Sequence, residues 1–150
     1  MKLVAFAFLY CVVASPAQAA PSELTMALQA AKSDVLSKGM SISPLGKIRA
    51  GKRSFWIAQA QWAQPPEEIA GTPHGSCSLI VLERQKDRLI YLGRYAGIDC
   101  EYPIFVRNNR VVAGVPKWAE PEINTASFTI GEKGPPDRIV FAGWEASFEK

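Results

Sequence analysis

CSLIVLERQKDRLIYLGRY, residues 77–95, is the stretch that decides the fold. Two apolar runs flank a short polar segment around Gln85-Lys86, which is the pattern of a β-hairpin. Apolar residues occupy both alternating faces of each run rather than one face. Strands of this kind are covered on both sides. The hairpin is therefore predicted to lie inside a sheet and not at its edge, with a layer packed on each face.

The register of this hairpin follows from the position of the turn. If Arg84 and Asp87 flank the turn, the same spacing puts Cys77 beside Arg94. Gly97 then lets the chain bend back and bring Cys100 toward Cys77. The apolar pairs predicted by this register are Leu82 with Leu89, Ile80 with Tyr91, Val81 with Ile90, and Leu79 with Leu92.

The N-terminus has the pattern of a signal peptide. Lys2 precedes a charge-free apolar run over 3–13, which is too short for a membrane span that needs about 20 residues. Pro16 follows, and Ala17-Gln18-Ala19 supplies small residues at the −3 and −1 positions. We expect cleavage after Ala19, with a retained N-terminal anchor as the alternative. The mature domain, 20–150, is expected to be periplasmic or secreted and to contain no membrane span.

Removal of the signal peptide changes the cysteine count. Cys11 leaves with it, so Cys77 and Cys100 are the two that remain. In an oxidising compartment such a pair is expected to form one disulfide. The bond would stabilise the fold by roughly 3 kcal/mol in the chain-entropy description. Two separate buried thiols are the alternative.

One amphipathic helix is predicted over 23–38. Ser22 is a suitable N-cap, Glu23 is favourable at the positive end of the helix dipole, and Gly39 is a natural stop. Apolar residues recur on one face at helical spacing. This stripe needs a sheet to cover.

The rest of the chain shows strand patterns. Residues 53–62 alternate, and Asn108-Asn109 between 104–107 and 110–115 is typical of a type I′ turn. A last hairpin is predicted between 123–130 and 138–148, with one side of 140–148 buried. The fold class is therefore α+β: the N-terminal helix packs on a mostly antiparallel meander of about seven strands. A partly closed barrel and a sandwich both remain open.

No catalytic constellation can be assembled from the sequence. His74 lies in the loop Pro73-His74-Gly75-Ser76, and no Gly-x-Ser-x-Gly elbow occurs. The chain has one histidine, and the predicted helix has no pair of carboxylates at i, i+3 or i+4 ligand spacing, so neither a metal nor a cofactor is expected. A hydrolase remains an alternative, in which His74 or paired carboxylates act; the candidate carboxylates are Glu67, Glu68, Asp99 and Glu101.

The charge distribution points away from nucleic acid. The formal net charge is only +3, whereas nucleic-acid binders usually carry a strongly basic face. The densest basic run is Lys47, Arg49, Lys52 and Arg53. It is interpreted either as a site for an anionic partner or as a polar hairpin tip.

The predicted partner-binding residues are mainly aromatic. Trp118 lies in a proline-bracketed loop beside Lys117, where a large aromatic residue serves as an interface hot spot, a sugar-stacking platform or a lid over the core. Tyr102 and His74 complete the candidate site. The sequence thus predicts a non-catalytic binding module for another envelope protein, of inhibitor or immunity type. A module that binds peptidoglycan or another glycan is the alternative.

Overall fold

The structure, a computed structural model, describes residues 22–62, 76–99, 102–114, 127–141 and 144–150. The predicted signal peptide over 1–19 lies outside these residues, as do His74, Cys100, Lys117 and Trp118. The predictions made for them therefore stay predictions. Within the described ranges, no helix has both the length and the apolar character needed to cross a membrane.

The described residues form two short helices and nine strands in two antiparallel sheets. The large sheet has the order β1-β2-β3-β4-β9-β8, and the small sheet has the order β5-β6-β7. The protein is mostly β, and these strands do not form a closed barrel. The elements are α1 (Glu23–Ala30), α2 (Asp34–Ser37), β1 (Met40–Ala50), β2 (Arg53–Trp62), β3 (Ser76–Gln85), β4 (Arg88–Asp99), β5 (Ile104–Arg107), β6 (Arg110–Ala113), β7 (Ser127–Phe128), β8 (Arg138–Phe141) and β9 (Trp144–Glu149).

Both faces of the large sheet are covered, as the apolar faces of residues 77–95 predict. On one face, Ile80 and Leu82 of β3 pack in a cluster with Leu28 of α1 and Val35 of α2. The other face carries a second cluster, in which β3 residues meet residues of β6 and β7; it includes Leu79, Val81, Tyr95, Val111 and Phe128. The alternation of β3 therefore separates a helix layer from a second β layer.

The predicted single helix over 23–38 is wrong, because the chain forms α1 and α2 with a break between them. Lys32 has a φ of 52°, a left-handed conformation that ends a helix. Ser33 then caps α2, and its hydroxyl accepts a hydrogen bond from the Val35 backbone N–H. The polar pair Ser33-Asp34 therefore interrupts the apolar stripe and starts a new helix.

The predicted register of the β3–β4 hairpin is displaced by two residues next to the turn and by up to four residues farther from it, because the pairing is interrupted at two irregularities. Leu82 pairs with Tyr91, and Cys77 pairs with Ile98 instead of lying beside Arg94. The turn has the expected two residues but lies one residue later, at Lys86 and Asp87, and Lys86 adopts a φ of 53°. The two-residue displacement keeps Leu89 and Tyr91 on their predicted face. The irregularity before Gly93 moves Tyr95 to the opposite face, where it packs in the cluster of Leu79 and Val81.

Among the remaining hairpins, the Asn108-Asn109 prediction is confirmed. Their φ angles are 49° and 62°, as a type I′ turn requires. The predicted hairpin between 123–130 and 138–148 is wrong, because β7 pairs with β6 and β8 pairs with β9. The reversal between β8 and β9 also changes the buried side of β8: Val140 is 70% exposed and Ile139 is 4% exposed.

Cys77 is buried near the start of β3. It is 0% exposed, and its Sγ lies 3.2 Å from Gln59 Nε2. The described part of the chain contains no second cysteine. The predicted bond between Cys77 and Cys100 therefore stays a prediction.

Candidate functional site

Two hairpin tips meet at one edge of the molecule. Arg49, near the end of β1, contacts Asn109 in the β5–β6 turn, sixty residues away in the chain. The Arg49 backbone N–H donates to Asn109 Oδ1 at 2.6 Å, and Asn109 Nδ2 donates to the Arg49 carbonyl at 2.6 Å. The asparagine amide thus pairs with the backbone as a neighbouring strand would. It fixes the β5–β6 turn against the edge of the large sheet.

This contact brings two groups of basic residues to the same edge. We use the name cationic surface for the exposed side chains of Lys47, Arg49, Lys52, Arg107 and Arg110. Lys47 and Arg49 point outward because the residues that alternate with them, Ile48 and Ala50, are buried. Arg107 and Arg110 are paired across the β5–β6 turn. The sequence showed the first group, but only the tertiary contact adds the second.

Acidic residues balance little of this charge. Within the described ranges, none of the five side chains forms an ion pair with a carboxylate; Arg110 instead donates to Ser127 Oγ at 3.0 Å. Glu132 lies at the border of the surface, where its side chain covers Gly51. Among the described residues, the cationic surface therefore carries positive charge that no carboxylate neutralises.

Arg53, the fourth member of the basic run, does not belong to the cationic surface. Its Nε and Nη2 donate to Glu83 at 2.6 and 3.1 Å, and its Nη1 donates to the Glu132 carbonyl at 2.8 Å. The hydrogen bond to Glu83 raises the pKa of Arg53 against the effect of burial. The same bond lowers the pKa of Glu83. Arg53 therefore stabilises the fold and leaves little charge for a partner.

We expect Asn109→Ala to destabilise the protein by about 1 kcal/mol more than Asn108→Ala. Both residues have positive φ, so both substitutions place alanine in a left-handed conformation. Only Asn109 also loses the two bonds to the Arg49 backbone. Urea unfolding gives the difference, and hydrogen exchange at the Arg49 amide should accelerate in Asn109→Ala alone. Equal losses in the two variants would show that the contact contributes nothing.

A second group of charged residues lies where α2, β4 and β9 meet. Arg94 contacts Asp34 at 3.0 Å and Glu149 at 3.1 Å, in a groove of about 570 Å³. The hydrogen bond from Lys38 lowers the pKa of Asp34, and Arg94 contributes to the same shift. Burial lowers the pKa of Arg94, but Glu149 and Asp34 raise it more. Arg94 neutralises both carboxylates of the groove, so we interpret this ion-pair group as a structural link between α2, β4 and β9.

The predicted site residues are mostly outside the described part of the chain. Tyr102 is the exception: it is partly buried and packs against the core cluster between the two sheets. This position resembles a core residue more than an open stacking platform. Whether His74, Lys117 and Trp118 lie near Tyr102 stays a prediction.

The described residues give no sign of a metal centre. They contain no group of three or more histidine, cysteine, aspartate or glutamate side chains that could hold a metal ion. His74, Glu67, Glu68 and Glu101 lie outside them, so the hydrolase alternative rests on residues that the structure does not describe. Asp99 ends β4.

Comparisons with known proteins do not assign the chain to a family. No family model matches it, and neither the curated proteins nor the solved structures contain a significant match. The function must therefore be argued from the site itself.

Proposed function

We propose that this chain is an exported, non-catalytic binding module that engages a protein partner in the cell envelope, as an inhibitor or immunity-type protein. Under this proposal the mature domain begins at Ala20 and acts in the periplasm or after secretion. A disulfide between Cys77 and Cys100 would stabilise it there. Neither a cofactor nor a metal is part of the proposed activity.

The cationic surface is the observation that carries this proposal. Five exposed cationic side chains flank the Arg49–Asn109 contact, and none of them has a carboxylate partner among the described residues. Surfaces of one charge attract and orient partners of the opposite charge. The partner that fits is a folded protein with an acidic surface. Arginine suits such an interface, since its planar fork binds carboxylates with two hydrogen bonds.

The carbohydrate-binding alternative has less support. It needs exposed aromatic faces, and Tyr102, its candidate within the described residues, packs against the core. Its other candidate, Trp118, lies outside the described part of the chain. Retention of the mature protein on peptidoglycan would favour this alternative over a protein partner.

The experiment that tests the proposal is site-specific photo-crosslinking in an envelope fraction. A photoreactive residue at Lys52 places the probe in the cationic surface. The same residue at Lys86 is the matched control, because Lys86 is also an exposed lysine in a two-residue hairpin turn. We expect one protein to be crosslinked from position 52 and not from position 86, and mass spectrometry to identify it. Equal labelling from both positions, or labelling of glycan alone, would contradict the proposal.

With the partner purified, we expect Lys47→Glu/Arg107→Glu to weaken binding by about tenfold at low salt. The control Lys86→Glu/Arg88→Glu changes the net charge by the same amount at the other hairpin tip, and its affinity should stay within about twofold. The loss should shrink as ionic strength rises, because salt screens exposed charges. Titration calorimetry at several salt concentrations measures both effects. Equal losses in the two double variants would mean that only net charge matters.

A further inference from the structure

A pocket lies between the start of α1 and the helix-covered face of the large sheet. Its volume is about 390 Å³, within the range of small-molecule sites. At the volume that one water molecule takes up in the liquid, this space corresponds to about a dozen heavy atoms. The wall is almost entirely apolar, and its main side chains are Leu24, Ile42, Pro44, Trp56, Ala58 and Leu89.

The polar part of the pocket lies at its rim. There, both terminal nitrogens of the Arg84 guanidinium donate hydrogen bonds to the Glu23 carboxylate. Nη1 donates to Oε1, and Nη2 donates to Oε2 at 2.9 Å. The side chains are 29% and 40% exposed, so the pair is open to water. Two parallel hydrogen bonds from arginine are the usual way in which a protein recognises a carboxylate. The chain's own Glu23 therefore occupies a carboxylate site at the mouth of an apolar pocket.

The backbone beside Arg84 also favours an anion. Glu23 is the first residue of α1, where the partial positive charge of the helix end stabilises a negative group. Ser22 Oγ caps only one of the free backbone N–H groups, that of Thr25. A carboxylate that replaced Glu23 would thus meet both the guanidinium and the helix end. Ion pairs between exposed groups are weak, so Glu23 can be displaced at small cost.

The pocket wall also provides a spectroscopic probe, the side chain of Trp56. The indole N–H of Trp56 is buried and has no hydrogen-bond acceptor among the described residues. An unsatisfied buried donor is rare and destabilises the protein. Trp56 also lines the pocket, so its indole resonance reports whether the pocket is occupied.

We propose that this pocket binds an amphipathic monocarboxylate, namely a medium-chain fatty acid. The carboxylate replaces Glu23 on Arg84, and the alkyl chain fills the apolar space between α1 and the sheet. Burial of the alkyl chain drives binding, since apolar surface leaves water. The size of the pocket selects a chain of about ten carbons. This site is independent of the cationic surface, so the fatty-acid proposal and the protein-partner proposal can fail separately.

The test uses decanoate below its micelle concentration, with decanol as the neutral ligand of equal length. Titration calorimetry on the mature protein should show one site that prefers decanoate. Glu23→Gln removes the internal competitor and should tighten decanoate binding by about tenfold. Arg84→Met should weaken decanoate binding by about tenfold and abolish the preference over decanol. Asp34→Asn is the matched control, because it removes the first-turn carboxylate of the other helix, and it should bind decanoate as the wild type does.

The position of the ligand is tested separately by NMR. Decanoate should shift the indole N–H resonance of Trp56, identified by its absence in Trp56→Phe. Thermal unfolding establishes that each variant is folded. If Arg84→Met does not fold, the decanoate affinity of Glu23→Gln and the preference of the wild type for decanoate over decanol still test the proposal. The proposal is overturned if Glu23→Gln binds decanoate no more tightly than the wild type, if decanol binds equally well, or if the Trp56 resonance does not move.

Discussion

Tyr95→Ala is expected to lower the free energy of unfolding by about 3–5 kcal/mol, since it removes a large side chain from a closed core. Tyr95 is 0% exposed and joins three parts of the fold. Its ring meets Phe128 of the small sheet at 5.5 Å and Phe148 of β9 at 5.0 Å between centroids. Its hydroxyl donates to the Pro136 carbonyl at 2.7 Å. Urea unfolding at neutral pH measures the loss, and a value below about 1 kcal/mol would contradict this account.

Tyr95→Phe separates the ring from the hydroxyl. It keeps both ring contacts and leaves the Pro136 carbonyl without its donor, so we expect a loss of about 1 kcal/mol. The pH dependence should change as well. Burial, with a smaller contribution from Asp137, raises the pKa of Tyr95. The folded state therefore keeps the proton when the unfolded state begins to lose it, near pH 10.

The sign of the pH effect follows from that difference. The contribution of Tyr95 to stability is fully present below pH of about 10 and is lost as the pH rises further. Burial also raises the pKa of Tyr91, so the wild type has two such contributions. The difference between the wild type and Tyr95→Phe isolates one of them. This difference should shrink between pH 9 and about 11; a constant difference would contradict the assigned direction.

The sequence predicted the layered core because that property depends only on alternation. Leu79 and Val81 had to face one layer, and Ile80 and Leu82 the other, whatever the exact register. The position of the turn between β3 and β4 depended on a finer property, the backbone conformation of a single residue. Lys86 adopts a left-handed conformation, which is uncommon for lysine. No local pattern marks that choice, so the turn lies one residue later than predicted and the register next to it moves by two residues.

The helix break and the last hairpin show the limits of periodicity. The apolar stripe over 23–38 continues through α1 and α2, although Ser33 starts a new helix between them. The alternation over 138–148 also continues across the reversal between β8 and β9. In both regions the same side-chain pattern is compatible with a continuous element and with two shorter ones. The choice depends on packing against the rest of the fold.

The two candidate sites were predictable to different degrees. The basic run of Lys47, Arg49 and Lys52 is visible in the sequence, but nothing local indicates that Asn109 joins it to Arg107 and Arg110. The apolar pocket was missed entirely. Its wall combines residues from α1 and four strands, and in the sequence its apolar members have the pattern of ordinary core positions. One signal was available: Arg84 is a charged residue directly after an apolar strand, where it needs a partner.

Arg53→Met is expected to lower the free energy of unfolding by about 3 kcal/mol, because it leaves the carboxylate of Glu83 buried without its counter-ion. Glu83 is 8% exposed. After the substitution it keeps the hydrogen bond from Gln85 Nε2 at 3.1 Å. The variant also loses the bond to the Glu132 carbonyl and the stacking of the guanidinium over Phe55, at 4.8 Å from the ring centroid. Arg138→Met is the control: its ion pair with Glu145 is exposed, and its loss should cost less than about 1 kcal/mol.

The double variant Arg53→Met/Glu83→Gln identifies the cause. If the buried charge is responsible, neutralising Glu83 should restore more than half of the lost stability; if the lost packing on Phe55 is responsible, it should restore nothing.

The pH dependence gives an independent check. The hydrogen bond from Arg53 lowers the pKa of Glu83 in the folded state, so this contribution is present above the unfolded value of about 4.3 and is lost as the pH falls below it. Without Arg53, burial acts on Glu83 with less opposition, so the loss on acidification should disappear. Urea unfolding between pH 7 and about 3 distinguishes the two cases, and a parallel pH profile for the wild type and Arg53→Met would exclude Glu83 as the group that responds to acid.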